Sequence, residues 1–128
     1  MLLYREEALD PHIDGTSFGS ITIGGTRYDH DVLIRRSGAI KKRKKKLSKA
    51  IYGTSHVLSL DEAQHVYEEG AKRLIVGAGQ YGRLGLSDEA REYFSQRGLL
   101  IELSPTGQAI RGWNEAEGDT LALFHVTC

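Results

Sequence analysis

The residues best suited to chemistry are the glycines of one short loop that follows an apolar run. Gly77, Gly79 and Gly82 have the spacing of a dinucleotide-binding loop, in which a phosphate approaches the backbone closely. In such a site the third glycine belongs to a helix that begins at once. Here the first residue suited to cap a helix is Ser87, and two acidic residues that would repel an anion follow it. We therefore predict no dinucleotide site, and the sequence predicts no cofactor.

The glycine loop, residues 77–82, has two other interpretations. Its backbone amides, in particular those of Gly79 and Gln80, could bind a small anion. Alternatively, the glycines supply only the positive φ that a tight crossover requires. Under the first interpretation, Gly79→Val should abolish ligand binding and leave the fold intact. The predicted ligand-binding residues are Gly77, Gly79, Gln80, Thr54, Ser55 and Lys49.

Two histidines and one serine are the candidate catalytic residues. His56 stands beside Thr54 and Ser55, whose hydroxyls could donate to an oxyanion, but it could equally cap a following helix. His125 shares a strand face with two leucines, and a buried histidine there usually has its nitrogens satisfied by the backbone. In an enzyme, His56 or His125 would be the general acid or base, and Ser55 would position the substrate.

Several classes of site lack the residues that they need. Cys128 is the single cysteine, which excludes an intrachain disulfide and a paired-cysteine zinc site. The sequence has neither a phosphate-loop lysine nor a Ser/His/Asp spacing. His65 has Asp61 and Glu69 one helical turn away, which is typical of solvated ion pairing. The sequence therefore predicts no metal site.

A net charge of zero hides one strongly basic segment. Residues 41–46 are five lysines and one arginine, and such runs can bind nucleic acid by neutralising phosphates. Single-strand binders also need aromatic side chains for base stacking, and only Tyr52 is near. We interpret residues 41–52 as a solvated connection that repulsion between its lysines holds extended. We favour this interpretation over nucleic-acid binding.

The elements that must position these residues change in character along the chain. Residues 1–40 are predicted to be rich in β-structure, with a hairpin over 18–28 and a third strand over 31–35. From residue 53 onward, helices and strands alternate. The helices begin at the predicted caps Ser59 and Ser87 and after Thr106, and Ser59 forms a capping box with the glutamate three residues later.

The alternating region predicts a sheet covered by helices. A strand over 73–78, a helix and a strand over 99–103 form a right-handed crossover, so the two strands should lie parallel in one sheet. Phe94, on the inward face of the connecting helix, should pack against Ile75 and Ile101. A last strand over 120–126 is apolar on both faces, which predicts a central position.

The chain length of 128 residues suits one domain with a single core, and 40% hydrophobic and 27% charged residues are typical of globular proteins. No apolar stretch approaches the length of a membrane span, so we expect no membrane partner. The first seven residues become acidic too early for a secretory signal. We expect a cytoplasmic protein.

Several motifs in order resemble one small protein family. They are Gly-Ala-Gly at 77–79 with Gly-Arg-Leu-Gly-Leu-Ser at 82–87, the 105–114 segment, Gly-Thr-Ser-His at 53–56, the 46–52 segment, and the ending Phe-His-Val-Thr-Cys at 124–128. The sequence is similar to single-domain α/β proteins, many of unassigned function, that include the adipogenesis-associated domain protein and mitochondrial complex I assembly factor 3. The 46–52 segment resembles the prokaryotic branch.

The resemblance implies a three-layer α/β domain with a mixed central sheet and an N-terminal antiparallel β element packed alongside. It implies no established catalytic residue. Because the better-known members act in assembly or regulation, we expect a binding or adaptor protein for a protein partner or a small anionic ligand. The alternatives are an enzyme that uses a histidine as general acid or base and, less favoured, a nucleic-acid-binding protein.

Overall fold

A computed structural model describes residues 10–128. The part of the predicted β-rich region that falls on residues 1–9 lies outside the described residues. The elements in chain order are β1 (Ile13–Ser17), β2 (Ser20–Ile23), β3 (Thr26–Tyr28), β4 (Val32–Ile34), β5 (Ile40–Lys42), α1 (Lys46–Tyr52), β6 (Val57–Leu58), α2 (Leu60–Val66), β7 (Arg73–Ala78), β8 (Gly85–Leu86), α3 (Asp88–Gln96), β9 (Leu100–Ser104), α4 (Thr106–Glu115) and β10 (Thr120–His125). Within this part of the chain, no helix is long and apolar enough to cross a bilayer.

Five strands form a mixed central sheet in the order β5-β4-β10-β7-β9. β10 lies parallel to β7 and antiparallel to β4, and all of its residues are buried. β7 and β9 pair in parallel, as the predicted crossover requires. The predicted central position of the last strand is therefore confirmed, because apolar residues on both faces of a strand need cover on both sides.

Helices and a second sheet cover the two faces of the central sheet. On one face, Leu121 and Leu123 of β10 pack in a core cluster with residues of α2 and α3. On the other face, Ala122 and Phe124 pack with α4 and with the antiparallel sheet β1-β2-β3. The predicted three-layer α/β architecture, with its N-terminal antiparallel element, is confirmed.

The inward face of α3 is as predicted, but one of its contacts is different. Phe94 is fully buried in the same cluster as Leu74 and Val76, with Ile101 at the edge of that cluster. Ile75 belongs to the cluster on the opposite face, which includes α4. The predicted contact between Phe94 and Ile75 is wrong, because successive residues of a strand project to opposite faces of the sheet.

Serine side chains cap two of the helices, as predicted. Ser59 Oγ accepts the amide N–H of Glu62 at 3.1 Å, and Ser87 Oγ accepts that of Ala90 at 3.0 Å. The reciprocal half of the capping box is replaced, because the amide N–H of Ser59 donates to Ser48 Oγ at 2.9 Å. The Glu62 carboxylate is therefore free to bind elsewhere.

The basic segment differs from the expected extended connection. Its first residues form the edge strand β5, and its last residue begins α1. Lys41, Lys42 and Lys44 are exposed, whereas Arg43 is only 4% exposed. An edge strand lets lysine ammonium groups reach water while a neighbouring residue turns inward. The interpretation of residues 41–52 as an extended, solvated connection is therefore wrong for the backbone, which forms a strand and a helix, and for Arg43, which is buried.

Candidate functional site

Most of the candidate residues lie at one end of the central sheet. The parallel strands β7 and β10 both end there, and because β4 runs antiparallel to β10, Asp31 at the start of β4 lies at the same end. Arg43 directly follows β5 and is also at this end. Loops after the carboxyl ends of parallel strands are common places for ligands in α/β proteins.

The amides of the glycine loop are hydrogen-bonded within the protein. An anion could use them only by displacing these internal acceptors, two of which are backbone oxygens of residues 127–128. The donor and acceptor pairs are Gly79 N–H with Thr106 Oγ1 at 2.9 Å, Gln80 N–H with Thr127 O at 2.7 Å, Tyr81 N–H with Cys128 O at 3.1 Å, and Arg83 N–H with Cys128 O at 3.2 Å.

The glycines of the loop allow its close packing. Gly79 has a φ of +98°, and a Cβ at this position would collide with the backbone of Cys128. A Cβ on Gly77 would lie 2.6 Å from Phe124 Cδ1 and 2.9 Å from Thr106 Oγ1. Gly79→Val must therefore disturb the packing of the loop against Cys128, and the expectation that it leaves the fold intact is wrong.

A buried carboxylate holds His125. Nδ1 of His125 lies 2.8 Å from Asp31 Oδ2, and the amide N–H of Val126 donates to Asp31 Oδ1 at 2.8 Å. Nε2 of His125 faces Thr127 Oγ1 at 3.2 Å. The His125 ring is thus buried, as expected, but its nitrogens are satisfied by two side chains rather than by the backbone.

The protonation state of Asp31 fixes the roles of the two ring nitrogens. Burial would raise the pKa of Asp31, but the hydrogen bond and charge of His125, the Val126 amide and the charge of Arg43 together hold it below its usual value. An ionised carboxylate can only accept, so His125 Nδ1 carries a proton. Nε2, on the opposite side of the ring, is the atom that faces the Thr127 hydroxyl.

Arg43 joins this carboxylate to a second one. Its Nη1 lies 2.9 Å from Asp31 Oδ2, while its Nε and Nη2 donate to both oxygens of Glu62 at 2.7 and 3.0 Å. Ser48 Oγ donates to Glu62 Oε1 at 2.5 Å, and the carbonyl of Ser55 accepts from Arg43 Nη2 at 3.0 Å. Two carboxylates therefore share one planar guanidinium in the interior.

The 53–56 segment brings His56 to His125. Their ring centroids are 5.4 Å apart in an edge-on arrangement, and His56 is half-buried. The amide N–H of His56 donates to Thr54 Oγ1 at 3.1 Å, and Ser59, not His56, caps α2. Lys49 lies exposed near the end of α1 and contacts the segment through its carbonyl oxygen, which accepts the Gly53 N–H at 2.9 Å.

Two exposed aromatic rings lie beside the glycine loop. Phe18 and Tyr81 are 60% and 72% exposed, and their ring centroids are 6.4 Å apart. Phe18 belongs to the β1–β2 turn and Tyr81 to the loop after β7. We call this pair the aromatic face. Large apolar side chains at such exposure cost free energy in water, so a face of this kind is typical of a binding surface.

Comparison with known proteins places the chain in a family. The model of a family described as protein of unknown function (DUF498/DUF598) matches residues 13–124. The chain belongs to this family. The expected membership of a small α/β family of unassigned function is thus confirmed.

Solved structures agree with this assignment. The conserved hypothetical protein PH1505 from Pyrococcus horikoshii OT3 is 36% identical over 91% of this chain and 98% of its own, with a TM-score of 0.82. A protein described as MT938 is 30% identical over 93% of this chain and 100% of its own, with a TM-score of 0.77. A Bordetella pertussis protein described as a Mth938-like domain shares the fold at 15% identity, with a TM-score of 0.60 over 91% and 85% of the two chains.

The sequence predictions missed several residues that organise this end of the sheet. Two local signals could have identified Asp31 and Arg43: an aspartate directly before an all-apolar strand, and a lone arginine among lysines, since only a guanidinium forms a planar fork with carboxylates. The hydroxyl groups carry no comparable signal, because serine and threonine are common in caps and turns. The missed residues are Asp31, Arg43, Glu62, Ser48, Thr106 and Thr127.

Proposed function

We propose that the protein works by binding a protein partner at the aromatic face. The observation that carries this proposal is the exposure of both rings of the Phe18–Tyr81 pair on structured turns. Aromatic side chains are the commonest energetic anchors of protein interfaces, because they bury a large area with few rotatable bonds. The partner surface that fits them is an apolar pocket or a further aromatic side chain.

The turns that carry the two rings are held by residues 126–128. The amide N–H of Gly19, next to Phe18, donates to the Val126 carbonyl at 2.7 Å, and that of Tyr81 donates to the backbone oxygen of Cys128 at 3.1 Å. Pre-organised anchors lose little conformational entropy on binding, which favours affinity. In this proposal, the network of Asp31, His125 and Arg43 supports the aromatic face through residues 126–128. The network itself does not have to contact the protein partner.

Site-specific photocrosslinking tests the proposal. A benzophenone amino acid replaces Tyr81 in one variant and Leu100 in the other. Leu100 is the control because it is also an exposed hydrophobic residue, 59% exposed, but lies on edge strand β9. We expect the variant with the photoreactive group at position 81 to crosslink to a discrete partner protein. Adding Phe18→Ala to that variant should reduce the amount of this product, and the variant at position 100 should not form it. Identical products from both positions, or none from position 81, would contradict the proposal.

A second candidate function is that of an enzyme acting on a small anionic substrate. The contact between half-buried His56 and His125, which Asp31 holds, favours it. Under this hypothesis His56 is the general acid or base that solvent can reach, Thr54 and Ser55 position the substrate, and Lys49 supplies positive charge. The glycine-loop amides contribute less than expected, because they already have internal acceptors.

Ligand-induced thermal stabilisation distinguishes this second candidate. Inorganic phosphate and malonate serve as probes, with His56→Gln as the test variant and His30→Gln as its control, because the His30 ring contacts Tyr28 edge-on instead of His125. The candidate requires that a probe raises the melting temperature of the wild type and of the His30 variant only. Equal stabilisation of all three proteins would rule it out.

A further inference from the structure

A pocket lies on a different part of the molecule, between edge strand β5 and helix α2. Its volume is about 340 Å³, and most of its wall is apolar. None of the predicted site residues and neither ring of the aromatic face contributes to it. The pocket is lined by Leu33, Arg35, Lys41, Lys42, Lys44 and His65.

The sheet register explains how cationic side chains come to line this pocket beside the core. Lys41 of β5 stands opposite Leu33 of β4, so the two side chains leave the sheet on the same face. Leu33 belongs to the core cluster that this face forms with α2 and α3. His65 comes from α2, and Lys44 follows β5 in the chain. Three separate segments of the chain therefore converge on one pocket.

Two carboxylates of the neighbouring helix region, Glu62 and Glu68, already have partners. Glu68 pairs with Arg35 Nε at 3.0 Å, and Arg35 Nη1 also donates to the carbonyl of His65 at 3.1 Å, which ties it to the end of α2. Glu62 is held by Arg43. Between residues 10 and 128, the ion pairs involve arginine or histidine but no lysine. The charges of Lys41 and Lys44 are therefore available to a ligand.

The imidazole of His65 is affected by this positive charge. Burial, and then the charges of Lys44 and Arg35, lower the pKa of His65, and the opposing effect of Glu62 is smaller. At neutral pH the ring is therefore uncharged, with a flat apolar face and one N–H donor. The predicted ion pairing of His65 with Asp61 and Glu69 does not occur within the described part of the chain.

We propose that this pocket binds a small phosphate monoester. The phosphate group lies between the ammonium groups of Lys41 and Lys44, each of which donates charge-assisted hydrogen bonds to its oxygens. The organic group packs on the methylene stems of the lysines and on the face of His65. This site goes beyond the protein-binding role proposed above and shares no residue with it.

A small ligand fits these observations better than a nucleic acid does. Lys45 and Lys46, the next residues of the basic segment, do not line the pocket, so its cations form a local cluster and not a continuous track. A single-stranded nucleic acid needs a groove that follows its backbone and aromatic rings on which successive bases stack. The apolar wall of the pocket, in contrast, suits one organic group.

Phenyl phosphate and inorganic phosphate are suitable probes, because they differ only in the apolar group. Binding is measured by amide chemical shifts of the full chain at fixed ionic strength. Lys41→Gln/Lys44→Gln is the test variant, and Lys45→Gln/Lys46→Gln is a control that removes the same charge from the same segment. All four lysines are exposed, so both variants should keep the wild-type spectrum away from the substitutions.

We expect phenyl phosphate to shift the amides of Leu33 and His65 and to bind more tightly than inorganic phosphate. The test variant should lose about tenfold in affinity, and the control less than about twofold, because Lys41 and Lys44 line the pocket whereas Lys45 and Lys46 do not. Equal losses in the two variants would overturn the proposal in favour of a diffuse basic surface. Unchanged binding by the test variant, or no shift at Leu33 and His65, would also overturn it.

Discussion

Arg43 and the lysines on either side of it carry the same charge within one short segment, yet the protein uses them in opposite ways. Arg43 is buried, and its guanidinium contacts the carboxylates of Asp31 and Glu62. Lys41 and Lys44 are exposed at the rim of a pocket. In the sequence the segment is one basic run. In the structure, Arg43 forms buried ion pairs, and the lysines form part of the surface.

The difference shows what decides the role of a cation. A guanidinium offers several N–H groups in one plane, so it can satisfy two carboxylates at once and repay part of its desolvation. An ammonium is more strongly hydrated, and at a strand edge its flexible stem keeps it in water. The following predictions test this contrast from the largest expected effect to the smallest.

The largest effect is expected for Arg43→Gln. The substitution leaves the carboxylates of Asp31 and Glu62 buried without their cation, so it should lower the free energy of unfolding by about 3–5 kcal/mol. Urea denaturation measures the loss, and Lys45→Gln, which removes an exposed charge two residues away, is the matched control. A loss below about 1 kcal/mol would mean that Arg43 does not hold the two carboxylates together.

Asp31→Asn should have a smaller effect that depends on pH. At neutral pH it removes charge-assisted hydrogen bonds to His125 and Arg43, at an expected cost of about 2–3 kcal/mol. The folded-state pKa of Asp31 is below its ordinary value, so ionised Asp31 stabilises the fold above that ordinary value. This contribution is lost as the pH falls through the lower, folded-state pKa.

The measurement for Asp31 is a series of urea denaturations from neutral to acidic pH. The difference in unfolding free energy between wild type and Asp31→Asn should start to shrink below about pH 4, because the unfolded wild type then binds a proton at Asp31 that the folded protein binds only at lower pH. A difference that stays constant across this range would show that the charge of Asp31 contributes nothing to stability.

Ser48→Ala tests the outer end of the buried network. It removes a donor to Glu62 and the acceptor of the Ser59 amide, so we expect a loss of about 1–3 kcal/mol. Ser37→Ala is the control, since Ser37 lies in an exposed turn. If the two serine variants are equally stable in urea, a water molecule replaces the Ser48 hydroxyl without cost.

The smallest effect on stability is expected when Lys41, Lys42 and Lys44 are all changed to glutamine. Exposed charges that pair with no carboxylate contribute little, so the unfolding free energy should change by less than about 0.5 kcal/mol. Weak binding of single-stranded RNA, followed by fluorescence anisotropy, should fade as salt rises to physiological values. Submicromolar binding that survives physiological salt and disappears in the triple variant would make this a nucleic-acid-binding surface.

The elements of the fold follow from local patterns in the sequence. Ser59 and Ser87 mark helix starts because a cap needs only its own hydroxyl and an amide three residues later. The last strand is recognisable as central because its apolar residues occupy both faces. Local chemistry and regular periodicity are both visible in one sequence, which is why the architecture could be predicted.

The organisation of the site depends on contacts that are distant in sequence. Asp31 meets His125 across 94 residues, and Arg43 meets Glu62 across 19. Neither pair has a sequence periodicity that links its two residues. Arg43 is also hard to recognise, because it lies among lysines of the same charge. The glycine loop was recognisable from the sequence as a tight turn. Its hydrogen bonds to residues 127–128 could not be predicted without knowing which strand lies beside β7.

The central position of β10 also has a consequence for biosynthesis. β4, β5, β7 and β9 all precede β10 in the chain, yet β4 and β7 are joined in the sheet only through it. A ribosome therefore releases two incomplete half-sheets with exposed edges before the strand that unites them is available. Such intermediates are prone to aggregation and are substrates for chaperones, and β10 must enter between strands that are already synthesised. The protein should thus complete its folding only after translation has passed residue 125.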